Sequence, residues 1–90
     1  MDLIKSNVTD KDRALFLTFV KWKNLTGSLV RFHDMRGFGL LRQVRVWNDE
    51  DVHVKIFWIV SPYINFKHER QYSWHKSDRI IVVSEMQKTL

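Results

Sequence analysis

The sequence predicts a mainly β domain, a small five-stranded barrel with an N-terminal helical extension. Three observations lead there. Short runs of alternating apolar and polar residues recur from Gly27 to Glu85, each bounded by glycine or polar turn residues. The chain has 90 residues, which supports one core and leaves no room for a second. Strands this short, in a chain this small, bury their apolar face by curling on themselves. The division that follows is an extension over residues 1–24, a barrel over 25–86 and a tail over 87–90.

The first element is a helix over residues 10–22. Thr9 is suited to cap it, and Asp10 and Asp12 fall in the first turn, where negative charge is favoured. Leu15, Phe19 and Trp22 then recur at helical spacing, with Phe16 and Val20 beside them. The run Phe16-Leu17-Thr18-Phe19-Val20 pulls the other way, because aromatic and β-branched residues favour strands. The cap and the periodic apolar stripe decide for the helix, which is expected to plug an open end of the barrel or cover an edge.

Asn24-Leu25-Thr26-Gly27 is a turn into the first strand, Ser28 to Phe32. The loop His33 to Gly37 ends in Gly37-Phe38-Gly39, where two glycines around an aromatic mark a tight bend or bulge. A phosphate-cradling loop is the sharper reading of those glycines, but neither a dinucleotide fingerprint nor a P-loop pattern is present. The second strand runs to Trp47, and Asn48 to Asp51 connects it to the third, Val52 to Val60. There Val52, Val54, Ile56, Trp58 and Val60 share the core face. His53, Lys55, Phe57 and Ile59 share the other, which starts polar and ends apolar, so Phe57 and Ile59 need a cover. Ser61 to Phe66 is an apolar loop holding the only proline, and Lys67 to Trp74 alternates enough for an edge strand. His75 to Asp78 reads as one 3₁₀ turn before the last strand, Arg79 to Ser84.

This layout, with "LVRF", "GFGLL", "VKIFW" and "RIIVVSE" in order, resembles an SH3-like barrel of the KOW and Tudor kind. It is most similar to short, uncharacterised SH3-like proteins of tailed bacteriophages. In those, a G-x-L-V opening, a G-x-G-x-V/L strand, a V-K-V-x-W strand and a closing L/I-x-V-V-S strand recur. The matching residues are Gly27, Leu29, Val30, Gly37, Gly39, Leu40, Val54, Lys55, Ile56, Trp58, Trp74, Ile80, Val82, Val83 and Ser84. They are mostly core and turn positions over about two-thirds of the chain, so the resemblance implies a fold and a non-catalytic module more than a partner. It also implies a bacteriophage accessory protein working in the host cytoplasm. The first 24 residues lie outside the pattern.

Composition narrows the function classes. The chain is 44% hydrophobic and 28% charged, the balance of a soluble folded domain. It has no cysteine, which excludes disulfides, thiolate metal sites and thiol nucleophiles and suits a cytoplasmic location. The apolar runs are too short to span a bilayer, and no signal-peptide pattern opens the chain, so no membrane partner is expected. The net charge of +5 favours anionic partners, although no block of consecutive Lys or Arg occurs.

No catalytic site, cofactor or metal is expected. The four histidines, His33, His53, His68 and His75, have no zinc-site spacing and no cysteine to help them. Ser73, Ser77 and Ser84 lie near His75 and Asp78 in sequence, but no nucleophile-elbow pattern accompanies them.

Two surfaces remain. The apolar set Phe57, Tyr63, Ile64 and Phe66 suits a protein interface, where aromatic residues dominate binding energy; its alternative is a loop packed on the helix. This protein-docking reading, with a host or viral partner, is the leading expectation. The second surface is basic and aromatic, with Arg36, Arg42, Arg70, Trp74 and Lys76 as the contacts for single-stranded nucleic acid. Arg31, Arg45, Lys55, His68 and Tyr72 accompany them. Its alternative is a solvated edge strand with Trp74 folded into the core. Arg42 and Arg45 have opposite parity, so regular pleating places them on opposite faces.

Overall fold

In the computed structural model, residues 9–62 and 71–85 are described. Helix α1 spans Asp10–Asn24. Its start follows from local chemistry: the Thr9 hydroxyl accepts from the Asp12 amide at 3.0 Å, and the Asp12 carboxylate accepts from the Thr9 amide at 3.3 Å. This reciprocal capping box satisfies two of the amides that a helix start leaves open. Lys21 and Lys23 occupy the last turn, where the helix dipole favours positive charge. Trp22 is buried, and Leu15 and Phe19 pack against the core beside it, as their spacing predicts. Phe16 points away and is 62% exposed.

Five strands follow: β1 Leu29–Phe32, β2 Phe38–Trp47, β3 Asp51–Val60, β4 Tyr72–Lys76 and β5 Ile80–Ser84. They form one sheet in the order β4-β3-β2-β1-β5, and every pairing is antiparallel. The fold is therefore mainly β with one N-terminal helix. Among the described residues, β4 and β5 remain the two ends of the sheet, and no backbone ladder closes it. A single 3₁₀ turn, Ser77–Arg79, joins those two end strands; the sequence predicts such a turn at His75–Asp78, whereas His75 and Lys76 pair with β3 as part of β4.

The core is made by Val30, Phe32, Leu41, Val52, Val54, Ile56, Trp58 and Ile80, with Trp22 delivered by α1. Alternation in β3 places Val52, Val54, Ile56 and Trp58 inward, as expected. Val60, expected on the same face, is exposed. It pairs with Phe38, and the register shifts between Phe38 and Gly39, so the core alternation ends one step earlier.

Two glycines fit their positions for different reasons. Gly27 has φ +97°, and its amide donates to the Leu41 carbonyl at 2.7 Å, tying the end of α1 to the middle of β2. Gly39 is buried, and the position takes glycine because a Cβ there would strike the Phe57 carbonyl oxygen and come within 2.7 Å of Ile56 Cγ2. The β2–β3 connection turns through Asn48 and Asp49, both at positive φ, and the Glu50 amide donates to the Trp47 carbonyl at 3.1 Å. This is the mirror-image turn that matches strand twist, and Asn and Asp are the side-chain-bearing residues that tolerate it best.

The Gly39 contact gives a direct test. Gly39→Ala should cost about 1–3 kcal/mol, because backbone and a core side chain must both move. Urea unfolding monitored by tryptophan fluorescence measures it, and an unchanged midpoint would contradict the close approach.

Candidate functional site

The outer face of β2, β3 and β4 interleaves basic and aromatic residues. Its composition is set by a single irregularity. Leu41 pairs with Ile56 and Gln43 with Lys55, so Arg42 is an extra residue without a cross-strand partner in β3. Ahead of this bulge the odd-numbered Leu41 points inward; beyond it Val44 and Val46 lie opposite the buried Val54 and Val52. The parity of the strand reverses. The expectation that Arg42 and Arg45 fall on opposite faces is therefore corrected: both line one groove, with Gln43, Val44, Trp74, Lys23 and Thr26. Arg42 and Gln43 also line an adjoining groove with Lys55 and Tyr72.

Cross-strand register orders the outer face in rows about 6.7 Å apart along the strands. Trp47 opposite Asp51 forms the first, Arg45 and His53 the second, Gln43, Lys55 and Trp74 the third, and Phe57 with Tyr72 the fourth. Rings and cations interleave along this direction. The Arg45 guanidinium lies 4.7 Å from the Trp47 ring centre and 4.0 Å from that of Trp74. Lys55 Nζ lies 4.9 Å from the Tyr72 ring and 6.0 Å from Trp74. Trp47 stacks on His53 at 5.5 Å with 14° between planes, and Phe57 meets Tyr72 at 5.1 Å. Each exposed cation–π contact contributes about 0.5–1 kcal/mol, which biases a long side chain toward its ring.

Most charges on this face have no acidic partner among the described residues. Among the described residues, no carboxylate lies within ion-pair distance of Lys23, Arg42, Arg45 or Lys55; the pairs present are Lys76 with Asp51 at 3.8 Å and Arg79 with Asp34 at 3.9 Å. Stacking on a ring occupies the flat side of a guanidinium and leaves its in-plane N–H donors directed outward. The face thus offers positive charge, free donors and ring surfaces together.

The sequence-predicted residues separate accordingly. Arg42 and Trp74 belong to the site, and Trp74 lies half-buried on the outer face instead of in the core. Lys76 closes one end of the face and is tied to Asp51. Arg36 is exposed in the loop before β2, at the opposite end of that strand from Arg45, and is not part of the grooves around Trp74. Phe57 is half-buried on the outer face, covered in part by Tyr72. Tyr63, Ile64, Phe66 and Arg70 lie outside the described residues. Sequence reasoning missed Trp47, His53 and Lys23. The length of the β2–β3 turn carries the signal for the first two, since pairing Trp47 with Asp51 sets Trp47 diagonally across from His53. Lys23 arrives only through the tie between Gly27 and Leu41.

Beneath the face, on the core side of β4, Ser73 and His75 form a polar strap. The Trp58 indole N–H donates to the Ser73 hydroxyl at 2.7 Å, and that oxygen lies 2.7 Å from His75 Nε2. Burial first, and then the positive charge of Arg79 and His53, lowers the His75 pKa to about 4. At neutral pH the ring is uncharged, and it shares one hydrogen bond between Nε2 and the Ser73 hydroxyl whose donor is set by the ring tautomer. A Ser–His hydrogen bond is one part of an activated nucleophile. Here the hydroxyl oxygen already accepts from Trp58, and among the described residues no carboxylate orients the ring. The imidazole packs edge-on to Phe32 at 4.6 Å, so the pair fastens β4 to the core.

Comparison with protein-family models, with curated proteins and with solved structures finds no match to this chain. Among the described residues no helix is long and apolar enough to cross a membrane.

The His75 environment predicts acid sensitivity. The unfolded chain protonates His75 near pH 6.5 and the folded one near pH 4, so between those values the unfolded state binds more protons. Stability is full above pH 6.5 and falls as pH drops toward 4. Because the ring is half-exposed, solvent screening holds the effect to about 1 kcal/mol, or about 5 °C in Tm. Melting curves across this window should show that extra loss in the parent protein and not in His75→Phe; parallel curves would contradict the assignment.

Proposed function

We propose that the protein is a non-catalytic interaction module that binds single-stranded nucleic acid on the outer face of β2, β3 and β4. The observation that carries this reading is the ring-and-cation ladder, in which Arg42, Arg45 and Lys55 lack acidic partners among the described residues while Trp47, Trp74 and Tyr72 lie between them. An unpaired strand presents a phosphate line and a row of flat bases. Cations supply attraction to the first, and rings stack on the second at about 1–3 kcal/mol per base. A duplex hides its base faces in the stack, so a surface of exposed rings favours single strands.

The fold supports the same reading. A meander β1-β2-β3-β4 returning through a 3₁₀ turn to place β5 beside β1 fits the SH3-like barrel that the sequence resembles. In this reading the sheet curls around Phe32, Trp58 and Trp22, leaving β2–β4 as its outward binding surface.

Protein docking is the second reading. It draws support from the exposed apolar end of the sheet, where Ile59 is 52% exposed beside Val60 and Phe38, with Phe57 adjoining. The two readings differ in salt response. With about three to four phosphates neutralised, single-strand affinity should fall with a log–log salt slope of about −2 to −3. Fluorescence polarisation with labelled single-stranded oligonucleotides measures the slope. Trp74→Ala should weaken binding about 5- to 150-fold, the range of one lost stacking contact. Absence of binding near physiological salt, or a Trp74→Ala variant that binds normally, would overturn the proposal. A protein interface losing affinity on Phe57→Ala would then take its place.

A further inference from the structure

Arg45 stands in a position with a specific shape. Register puts its row between the row of Trp47 and the row of Trp74, and its guanidinium lies over both rings at 4.7 and 4.0 Å. The guanidinium therefore fills the gap between the rows of the two indoles, a slot within reach of both rings. A guanidinium and a nucleobase share the features such a slot selects: both are flat, both stack on aromatic faces, and both keep hydrogen-bonding groups at their edges. Arg45 is exposed, and no hydrogen bond or carboxylate holds it there among the described residues. Among the described residues, ring contacts are what retain it. Trp47 also stacks on His53, and Trp74 is half-buried with Lys55 Nζ 6.0 Å from its ring, so each wall has a contact that does not involve Arg45.

We propose that the slot between Trp47 and Trp74 is a base-binding position and that Arg45 fills it in the free protein as a stand-in. This rests on the single-strand reading and adds where one base sits and how the site opens. An arriving base takes the stacking place of the guanidinium. The freed Arg45 swings to the adjacent phosphate, where charge-assisted N–H donors hold it more strongly than a ring face does. The exchange makes Arg45 a competitor for a neutral ligand and a partner for a charged one, which are opposite roles for one residue.

That opposition makes the test. Adenosine, which has a base and no phosphate, is titrated into the parent protein, Arg45→Ala and Arg45→Lys, following the tryptophan indole N–H signals by NMR. In parallel, a single-stranded oligonucleotide is titrated into the same three proteins over a salt series. Arg45→Ala should bind adenosine about fivefold more tightly than the parent, because an empty slot needs no displacement. It should bind the oligonucleotide more weakly, with the salt slope reduced by about 0.7 through loss of one phosphate contact. Arg45→Lys keeps the charge without the plane, so its slope should match the parent while its adenosine affinity rises. Equal or weaker adenosine binding by both variants, with the parent still binding the oligonucleotide, would overturn the stand-in role alone. Failure of the parent to bind the oligonucleotide would overturn the single-strand reading, and this inference with it.

Discussion

Where β2 passes Arg42, the strand carries one residue more than β3 opposite it, and the faces on either side of the sheet depend on that residue. A side-chain period of two means that a shift by one exchanges every inward and outward position. Without the bulge, the alternation that buries Leu41 would send Gln43, Arg45 and Trp47 toward the core and Val44 and Val46 to solvent. With it, the first half of β2 buries Leu41 and the second half sets Val44 against Val54, while Arg42, Gln43, Arg45 and Trp47 stay outside. The core and the candidate site are thus two consequences of one irregularity. The ties between Gly27, Ser28 and Leu41 sit at its edge, fixing the end of α1 there and bringing Lys23 alongside Arg42.

The face that results is in tension with stability. Like charges on neighbouring strands repel, and Arg42, Arg45 and Lys55 have no carboxylates among the described residues to offset them. The rings moderate this by drawing the cations onto their faces, at about 0.5–1 kcal/mol per contact. A solvated edge would meet the same hydrophobic demands with mixed charge and fewer indoles. Local conflict of this kind, retained in an otherwise consistent fold, is where binding is expected to reside.

Much of the architecture was legible in the sequence because its causes are local. Thr9 and Asp12 announce the helix start, Leu15, Phe19 and Trp22 its buried stripe, and Val52 to Trp58 the core face of β3. The 3₁₀ turn before the last strand follows from a short polar link between two patterned runs. What escaped was of longer range. Parity counting put Arg42 and Arg45 on opposite faces because a bulge leaves no mark in a pattern read one strand at a time. Trp74 was open to a core placement because only its pairing with Lys55 shows which way it points. Arg36 shares the basic character of the site residues but sits at the far end of β2, a separation that composition cannot reveal. Barrel closure also depends on long-range pairing: the five-stranded order is present, while the described ladders end at β4 and β5.

The central claim is that the bulged outer face, and not the apolar end of the sheet, meets the ligand. A titration of the isotope-labelled protein with a single-stranded oligonucleotide, read at its backbone amides and its four indole N–H signals, tests this most directly. The account predicts that Trp47 and Trp74 move on binding, while Trp22 and Trp58, both buried in the core, stay in place. Changes gathered instead around Phe38, Ile59 and Val60, or no change at any indole, would contradict it.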